Sequence, residues 1–484
     1  MELLQIIQAT EGRLAAGPEN QDIKGIAIDS RMVQPGYLFA AQKGTRTDGH
    51  LFISKAVEAG AVAVLCSEIP GDIPSGVSII SVPDVSKALG AACSEFYNHP
   101  SGNLSIIGIT GTNGKTSIAT WLFQLGELLG YPCGLISTIR IRVRDTSIPA
   151  THTTPDIISL FEHLDSMVKA GCQYVFMEVS SHALDQNRVA GLKFSGAVFT
   201  NISRDHLDYH EDFASYIKAK KRLFDELPDD AFAIVNDDDR NSGVMLQNCR
   251  ALKRGYSNRT ISDFHGKLIE QINQGMMLQM NGRELWVPFI GRFNVSNITA
   301  VYGVATQLGW KDEEILTAIS RLKPVEGRFD KVDLGDGVTG IVDYAHTPDA
   351  LKNVLEAIRE MCGSGQRVLT VIGAGGDRDR GKRPAMAATA CAMSEIVILT
   401  SDNPRSENPG DIIEEMKEGV PPEMESQVFS VINRREAIRL AYALARGGDF
   451  VLVAGKGHET YQEINGERKH FDDKEELIKI KSST

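Results

Sequence analysis

Cysteine is sparse and unpaired in this 484-residue chain: seven residues (Cys66, Cys93, Cys133, Cys172, Cys249, Cys362 and Cys391), scattered, odd in number and never at C-x-x-C spacing. That pattern excludes a disulfide framework and a thiolate metal site, and it fits a reducing compartment. No run of about 18 uncharged apolar residues occurs, which excludes a helical membrane span. The start, Met1-Glu-Leu-Leu-Gln-Ile-Ile7, has no basic stretch ahead of a long apolar one, so a cytoplasmic protein without a membrane partner is expected. Positive charge is in deficit, 51 Lys and Arg against 63 Asp and Glu for a net charge of -12, which disfavours attraction to nucleic-acid phosphates. There is no recognisable nucleic-acid module, no solenoid repeat and no low-complexity linker.

What is present is ordinary globular material, 42% hydrophobic and 24% charged. At roughly 150 residues per domain the length predicts about three domains. Residues 1–101 mix short apolar runs, Ala61–Leu65 and Val77–Ile80, with turn-rich stretches ending at Asn98-His-Pro-Ser-Gly102, a small α/β unit. Residues 102–326 open with the run Ile106–Ile109 and a glycine turn, followed by Ile118, Trp121, Leu122, Leu125, Leu128 and Leu129 at helical spacing and a stop at Gly130 and Pro132. The runs Tyr174–Met177, Ala197–Thr200 and Phe232–Val235 then alternate with helical segments, the mark of a mostly parallel sheet. Residues 327–484 repeat that logic, with runs at Gly340–Asp343, Val368–Ile372, Glu395–Leu399 and Phe450–Ala454 and a helical face Leu351, Val354, Leu355, Ile358. The predicted fold class is α/β throughout.

The strongest chemical signal is Gly111-Thr-Asn-Gly-Lys-Thr116 between a predicted strand and a predicted helix. There, backbone N–H groups and the helix dipole can hold phosphates, Lys115 can meet the β/γ-phosphates, and the Thr116 hydroxyl can bind Mg²⁺. Ile109 occupies the place of the first glycine in the common form of this loop, although Gly108 and Gly111 flank it. Glu178 closes an apolar run, at the sheet edge where α/β proteins bind ligands. Asp205, His206, Asp208 and His210 crowd another loop, a pattern that is either a metal site or a hydrogen-bonded turn. In Tyr216-Ile-Lys-Ala-Lys-Lys-Arg-Leu-Phe224, spacing alone reads as a solvated basic helix face. Three charged loops, Gly373–Pro384, Ser401–Pro409 and Ala454–Glu459, follow successive predicted strands, where an anionic ligand is expected.

Taken in order, nine segments of this chain resemble the ATP-dependent Mur ligases of bacterial cell-wall synthesis, MurE type. They are Ile28-Asp-Ser-Arg31, Gly111-Thr-Asn-Gly-Lys-Thr116, Thr153-Thr-Pro155, Met177-Glu-Val-Ser-Ser-His182, Asp205-His-Leu-Asp-Tyr-His210, Asp343-Tyr-Ala-His346, Gly375-Gly-Asp-Arg378, Asp402-Asn-Pro-Arg405 and Gly455-Lys-Gly-His-Glu459. The resemblance spans the chain and implies an N-terminal domain for a uridine nucleotide, a central ATPase domain and a C-terminal Rossmann-like domain. The implied reaction adds meso-2,6-diaminopimelate to UDP-N-acetylmuramoyl-L-alanyl-D-glutamate through an acyl phosphate, releasing ADP and phosphate. A lysine-adding relative is the alternative, and folylpolyglutamate synthetase, which typically lacks such an N-terminal domain, is a more distant one.

The resemblance also implies residue roles. Gly111, Thr112, Asn113, Gly114, Lys115, Thr116 and Ser117 would hold ATP, joined by Asn294, Asn297, Arg328 and Asp343, with His346 beside the reacting groups. Thr116 and Glu178 would hold one Mg²⁺ and His206 would contribute to a second. Lys220 matches the lysine that takes up CO₂, and the carbamate would bind Mg²⁺; crowding by Lys218 and Lys221 would favour the neutral amine. Ile28, Ser30, Thr45, Arg46, Thr47, Thr153, Thr154, Ser180, Gln186 and Arg188 would meet the UDP-muramoyl dipeptide. Arg405 would grip the distal carboxylate of diaminopimelate within the Asp402, Asn403, Pro404 loop, with Arg378, Gly455 and Glu459 as co-ligands. A monomer with mobile domains is expected.

Overall fold

Apolar runs too short for helices and buried on both faces become the inner strands, and three parallel-rich sheets result. The structure is a computed structural model that describes residues 1–44, 47–72 and 75–483. The first sheet has the order Arg13–Ala16, Ser78–Ser81, Ala61–Cys66, Tyr37–Ala40, Gly25–Ala27, and only Arg13–Ala16 runs antiparallel. Its helices Leu3–Ala9 and Val85–Phe96 bury Leu3, Ile6, Leu89 and Cys93 in one cluster with Ile157 and Phe161 of the next unit, so the two units share a packed seam.

The second sheet has 11 strands. Seven run parallel in the order Phe264–Ile272, Leu252–Ser257, Phe232–Asn236, Gly196–Phe199, Ser105–Thr110, Tyr174–Glu178, Cys133–Ile136. Antiparallel ribbons extend both edges, Arg140–Val143 with Thr146–Pro149 on one side, and Gly275–Met280 with Arg283–Val287 on the other. Helix Lys115–Leu128 lies across it with Ile118, Trp121, Leu122 and Leu125 in the core. Leu128, expected on the same face, is 36% exposed, because it falls at the last turn where the helix leaves the sheet.

The third sheet has the order Asp330–Asp333, Thr339–Asp343, Phe450–Ala454, Val368–Ala374, Ile396–Ser401, Val428–Val431, antiparallel only at Asp330–Asp333. Helices Pro348–Met361, Lys382–Met393 and Pro409–Lys417 cover one face, and Arg434–Leu444 and Asp473–Ser483 cover the other. The expected stripe Leu351, Val354, Leu355, Ile358 is buried, and truncating Leu355 to alanine there costs about 2–5 kcal/mol. The expected α/β class is what the sheets show, with strand ends differing by a residue or two: Ser78–Ser81, Gly196–Phe199 and Ile396–Ser401 replace the bounds read from hydropathy. Among the described residues no helix is long and apolar enough to cross a membrane, and all seven cysteines are free thiols.

Candidate active site

Strand register brings the chemistry together. In the central sheet Glu178 pairs with Ile109 and Phe199 pairs with Thr110, so three neighbouring strands release their C-terminal ends side by side. From these ends come the glycine loop, Glu178 and the loop that begins at Thr200. They open into a cavity of about 840 Å³ whose lining includes Thr112 to Ser117, Thr153, Glu178, Ser180, His206, Lys220, Asn297, Arg328, Asp343 and His346. The same lining holds Asn236, Asp238, Asp239, Asn258 and Arg259, none of which the sequence singled out. They end or follow strands Phe232–Asn236 and Leu252–Ser257, and their only advance signal was a polar end on an apolar run.

The glycine loop is fixed by contacts that leave no room for side chains. A Cβ on Gly111 would lie 1.9 Å from Thr200 Oγ1, and one on Gly114, whose φ is +89°, would lie 2.5 Å from Asn297 Oδ1. Asn113 donates its N–H to Asn201 Oδ1 (3.0 Å), and its carbonyl accepts from the Thr200 hydroxyl (2.7 Å). Lys115 Nζ donates to the carbonyls of Gly111 (2.9 Å) and Thr112 (2.8 Å). Burial pushes its ammonium below the usual lysine range, against the pull of Glu178 and Asp205. Thr116 Oγ1 accepts from Arg328 Nη2 at 3.0 Å, a bond from the third sheet's segment to the loop.

Lys220 overturns the reading from spacing. It is 1% exposed, donates to Gly111 O at 2.9 Å, and lies 4.6 Å from the Tyr216 ring centre. Helix Phe213–Asp225 buries Tyr216, Ala219, Lys220, Leu223 and Phe224, a stripe at i, i+3, i+4, i+7 and i+8 that includes Lys220. Its amine is driven far below the ordinary lysine value by burial, then by the charge of Lys115. The expected crowding by Lys218 and Lys221 is not the cause: Lys218 is exposed, and Lys221 is paired with Asp225 one turn on.

Glu178 is fully buried and accepts from the Thr138 N–H (2.7 Å) and hydroxyl (3.2 Å). Thr138 also donates to Thr153 Oγ1 (3.0 Å), and Thr154 donates to the Glu178 carbonyl (2.8 Å). Ser180 caps the short helix Ser181–Asp185. Arg188 grips Gln186 Oε1 and donates to Thr154 O (3.0 Å), so Thr153, Thr154, Ser180, Gln186 and Arg188 form one continuous polar patch. In the first unit Ile28 and Ser30 are half-buried and Thr47 is exposed, while Thr45 and Arg46 lie outside the described residues.

Asp205 sits between the second and third sheets, 3.3 Å from His206 Nε2, 3.8 Å from His346 Nε2 and 3.9 Å from Lys382 Nζ. Burial alone would raise its carboxyl, but these neighbours outweigh it and hold it well below the usual carboxylate range. Burial drives His206 down to about 2, against the pull of Asp205, so its ring is neutral and one ring nitrogen keeps a lone pair. Asp208 pairs with Arg378 at 3.9 Å, and His210 is buried against Tyr216, its Nε2 without a partner. Glu178 and Thr116 are hard oxygen donors, the kind Mg²⁺ selects while keeping water and phosphate in its shell. Among the described residues no three His, Cys, Asp or Glu side chains gather closely enough to hold a metal alone.

Of the residues expected to meet the nucleotide, Asn294 and Asn297 are buried in helix Arg292–Gln307 and bonded to each other at 3.1 Å. Asp343 Oδ2 accepts from the Phe329 N–H (2.7 Å), and burial raises its carboxyl. The Arg328 guanidinium lies 4.5 Å from the Tyr344 ring centre. Asp343 and His346 line the cavity, whereas the third sheet's loops after Val368–Ala374, Ile396–Ser401 and Phe450–Ala454 stand apart from it. Arg405, at φ +51°, donates to Gly376 O (2.6 Å), which joins its loop to Gly375–Arg378. Asn403 Nδ2 donates to Glu459 Oε2 (2.7 Å), which ties the loop after Ser401 to the loop after Ala454. Asp402 and Pro404 are buried, and Gly455 takes φ +116° beside Asp402.

Three family models cover successive segments: the Mur ligase family catalytic domain over residues 22–97, the Mur ligase middle domain over 109–305, and the Mur ligase glutamate ligase domain over 327–457. A protein of Bacteroides fragilis named UDP-N-acetylmuramoyl-L-alanyl-D-glutamate-2,6-diaminopimelate ligase is 50% identical over 484 residues, covering 100% of both chains. A solved structure of a ligase with that name is 32% identical and covers 100% of this chain and 99% of its own, with a TM-score of 0.69. A folylpolyglutamate synthase of Mycobacterium tuberculosis, 18% identical with a TM-score of 0.61, matches in fold over 76% of this chain and 91% of its own. With all three segments matched and half of the residues shared end to end, this chain belongs to the Mur ligase family.

Proposed function

We propose that this protein is the ATP-dependent ligase that joins meso-2,6-diaminopimelate to UDP-N-acetylmuramoyl-L-alanyl-D-glutamate in peptidoglycan precursor synthesis. The observation that carries the reading is the placement of Lys115, Glu178 and Lys220 around one cavity at the ends of neighbouring strands. A carboxylate and a triphosphate repel each other, so their reaction needs fixed positive charge and alignment. The glycine loop's N–H groups and Lys115 receive the phosphates; the polar patch from Thr153 to Arg188 orients the muramoyl peptide. The dipeptide carboxylate attacks the γ-phosphorus and ADP leaves. A neutral amine of diaminopimelate then attacks the acyl phosphate carbon, and phosphate leaves as the amide forms. Thr116, Glu178 and His206 would hold Mg²⁺, which supplies Lewis-acid neutralisation of phosphate charge when bound. The Lys220 amine, pushed toward its neutral form by burial, can add to CO₂ with loss of a proton, giving an anionic carbamate. Arg405 pairs with the distal carboxylate, which lysine lacks. The reading puts the enzyme in the cytoplasm as a monomer.

Phosphate release measured with ATP, the UDP-muramoyl dipeptide and either diaminopimelate, lysine or ornithine tests this. Turnover with diaminopimelate is expected. Turnover with lysine alone would replace the amino-acid assignment, and phosphate release that ignores the UDP-muramoyl dipeptide would overturn the whole reading.

A further inference from the structure

The loops assigned to the incoming amino acid leave the sheet from two strands that are not neighbours. Ile396–Ser401 and Phe450–Ala454 flank Val368–Ala374 on opposite sides. Their last carbonyls accept from one side chain: Arg434 Nη1 reaches Ser401 O (3.4 Å) and Nη2 reaches Ala454 O (3.0 Å). The next residues are Asp402 and Gly455, where the two loops begin. Arg434 stands at the start of helix Arg434–Leu444 and is held in a two-pronged pair by Asp473, at the start of helix Asp473–Ser483, with both contacts at 2.7 Å. Both side chains are fully buried, so neither carries the charge for solubility. Beyond the strand ends a second buried cation repeats the tie: Lys456 Nζ donates to Asn403 Oδ1 (3.2 Å) in one loop and to Glu459 Oε2 (3.1 Å) in its own.

We propose that Arg434, locked by Asp473, is a positioning residue that sets the spacing of the two amino-acid loops, with Lys456 as the cross-tie that orients Glu459. This deepens the functional reading above and rests on it. A fork fixed by two carbonyls and a carboxylate has one geometry, whereas a buried apolar pair in its place would fill the volume without dictating loop separation. Recognition of a substrate with charges at both ends depends on that separation, and a misplacement of about 1 Å costs up to roughly a hundredfold.

The test uses the full chain with Arg434→Met and Asp473→Leu combined, which removes both charges so that no lone buried ion remains. KM for diaminopimelate should rise at least roughly tenfold. KM for ATP and for the UDP-muramoyl dipeptide should stay within about twofold, with the melting midpoint near that of the parent. Unchanged amino-acid kinetics in the folded double variant, or all three KM values worsening together with a lower midpoint, would overturn the proposal. If the double variant does not fold, Lys456→Met decides by the same split: an amino-acid KM that does not move overturns the proposal. Arg405→Ala run alongside separates the two levels. Parent enzyme that turns over no diamino acid sinks the functional reading, while a response to Arg405→Ala without one to the Arg434 and Lys456 variants sinks only the positioning role.

Discussion

Lys115 and Lys220 donate to the same oxygen, the carbonyl of Gly111, each at 2.9 Å. Two buried ammonium groups on one acceptor repel, and the deeper one yields: Lys220 is displaced toward its neutral form by burial and by Lys115. The glycine loop, proposed above to receive phosphates, therefore has a second part in that proposal, because its first carbonyl holds in place the amine that CO₂ would meet.

Replacing Lys115 with methionine should lower the rate of phosphate release by about a hundredfold or more, the usual scale for losing one preorganised charge at a transferring phosphoryl group. It should also reduce uptake of isotope-labelled bicarbonate at Lys220, read by carbon NMR, since the amine would regain protons and its carbamate would lose a neighbouring cation. Full labelling in the variant would show that the two lysines are uncoupled.

Gly114→Ala places a methyl 2.5 Å from Asn297 Oδ1 at a φ of +89°. The strained backbone should cost about 1–3 kcal/mol of stability. Nucleotide affinity should fall with it, because Asn297 can move only by disturbing its bond to Asn294. Chemical denaturation and nucleotide titration give the two readings.

Arg405→Ala should raise KM for diaminopimelate by roughly ten- to a hundredfold, matching the about 1.5–3 kcal/mol of a charge-assisted hydrogen bond. KM for ATP should not follow, and an equal rise in both would point to a folding defect.

Lys331 donates to Asn273 O across the second and third sheets, and burial lowers its ammonium to about 8 from the ordinary 10.5. Between these values the unfolded chain binds more protons than the folded one, so stability rises with pH over that window. Below it the full cost of the buried charge is present. The difference in melting midpoint between the parent and Lys331→Met should therefore shift in the parent's favour from about pH 8 upward, and a difference independent of pH would contradict the assignment.

Residues buried on both faces of a sheet were readable in advance. Phe450–Ala454 is buried at every position, so hydropathy located its ends to the residue. Phe264–Ile272 was not readable, since about half of its positions face solvent and its partner strands lie at a sheet edge. Lys220 shows the limit of composition-based reading within one helix. Counting charges in Tyr216–Phe224 made a basic surface, whereas counting in steps of three and four puts Lys220 on the apolar stripe with Tyr216, Ala219 and Leu223, and Lys218 off it. The tie between Arg434 and Asp473 had no local signal, because its partners are 39 residues apart and meet only when two helices pack on one face.

The bond from Arg328 to the Thr116 hydroxyl gives the molecule a form of bookkeeping between its halves. A cation drawn to that hydroxyl oxygen would lie beside a guanidinium carried by the other half, so the glycine loop and the contact between the halves share one atom.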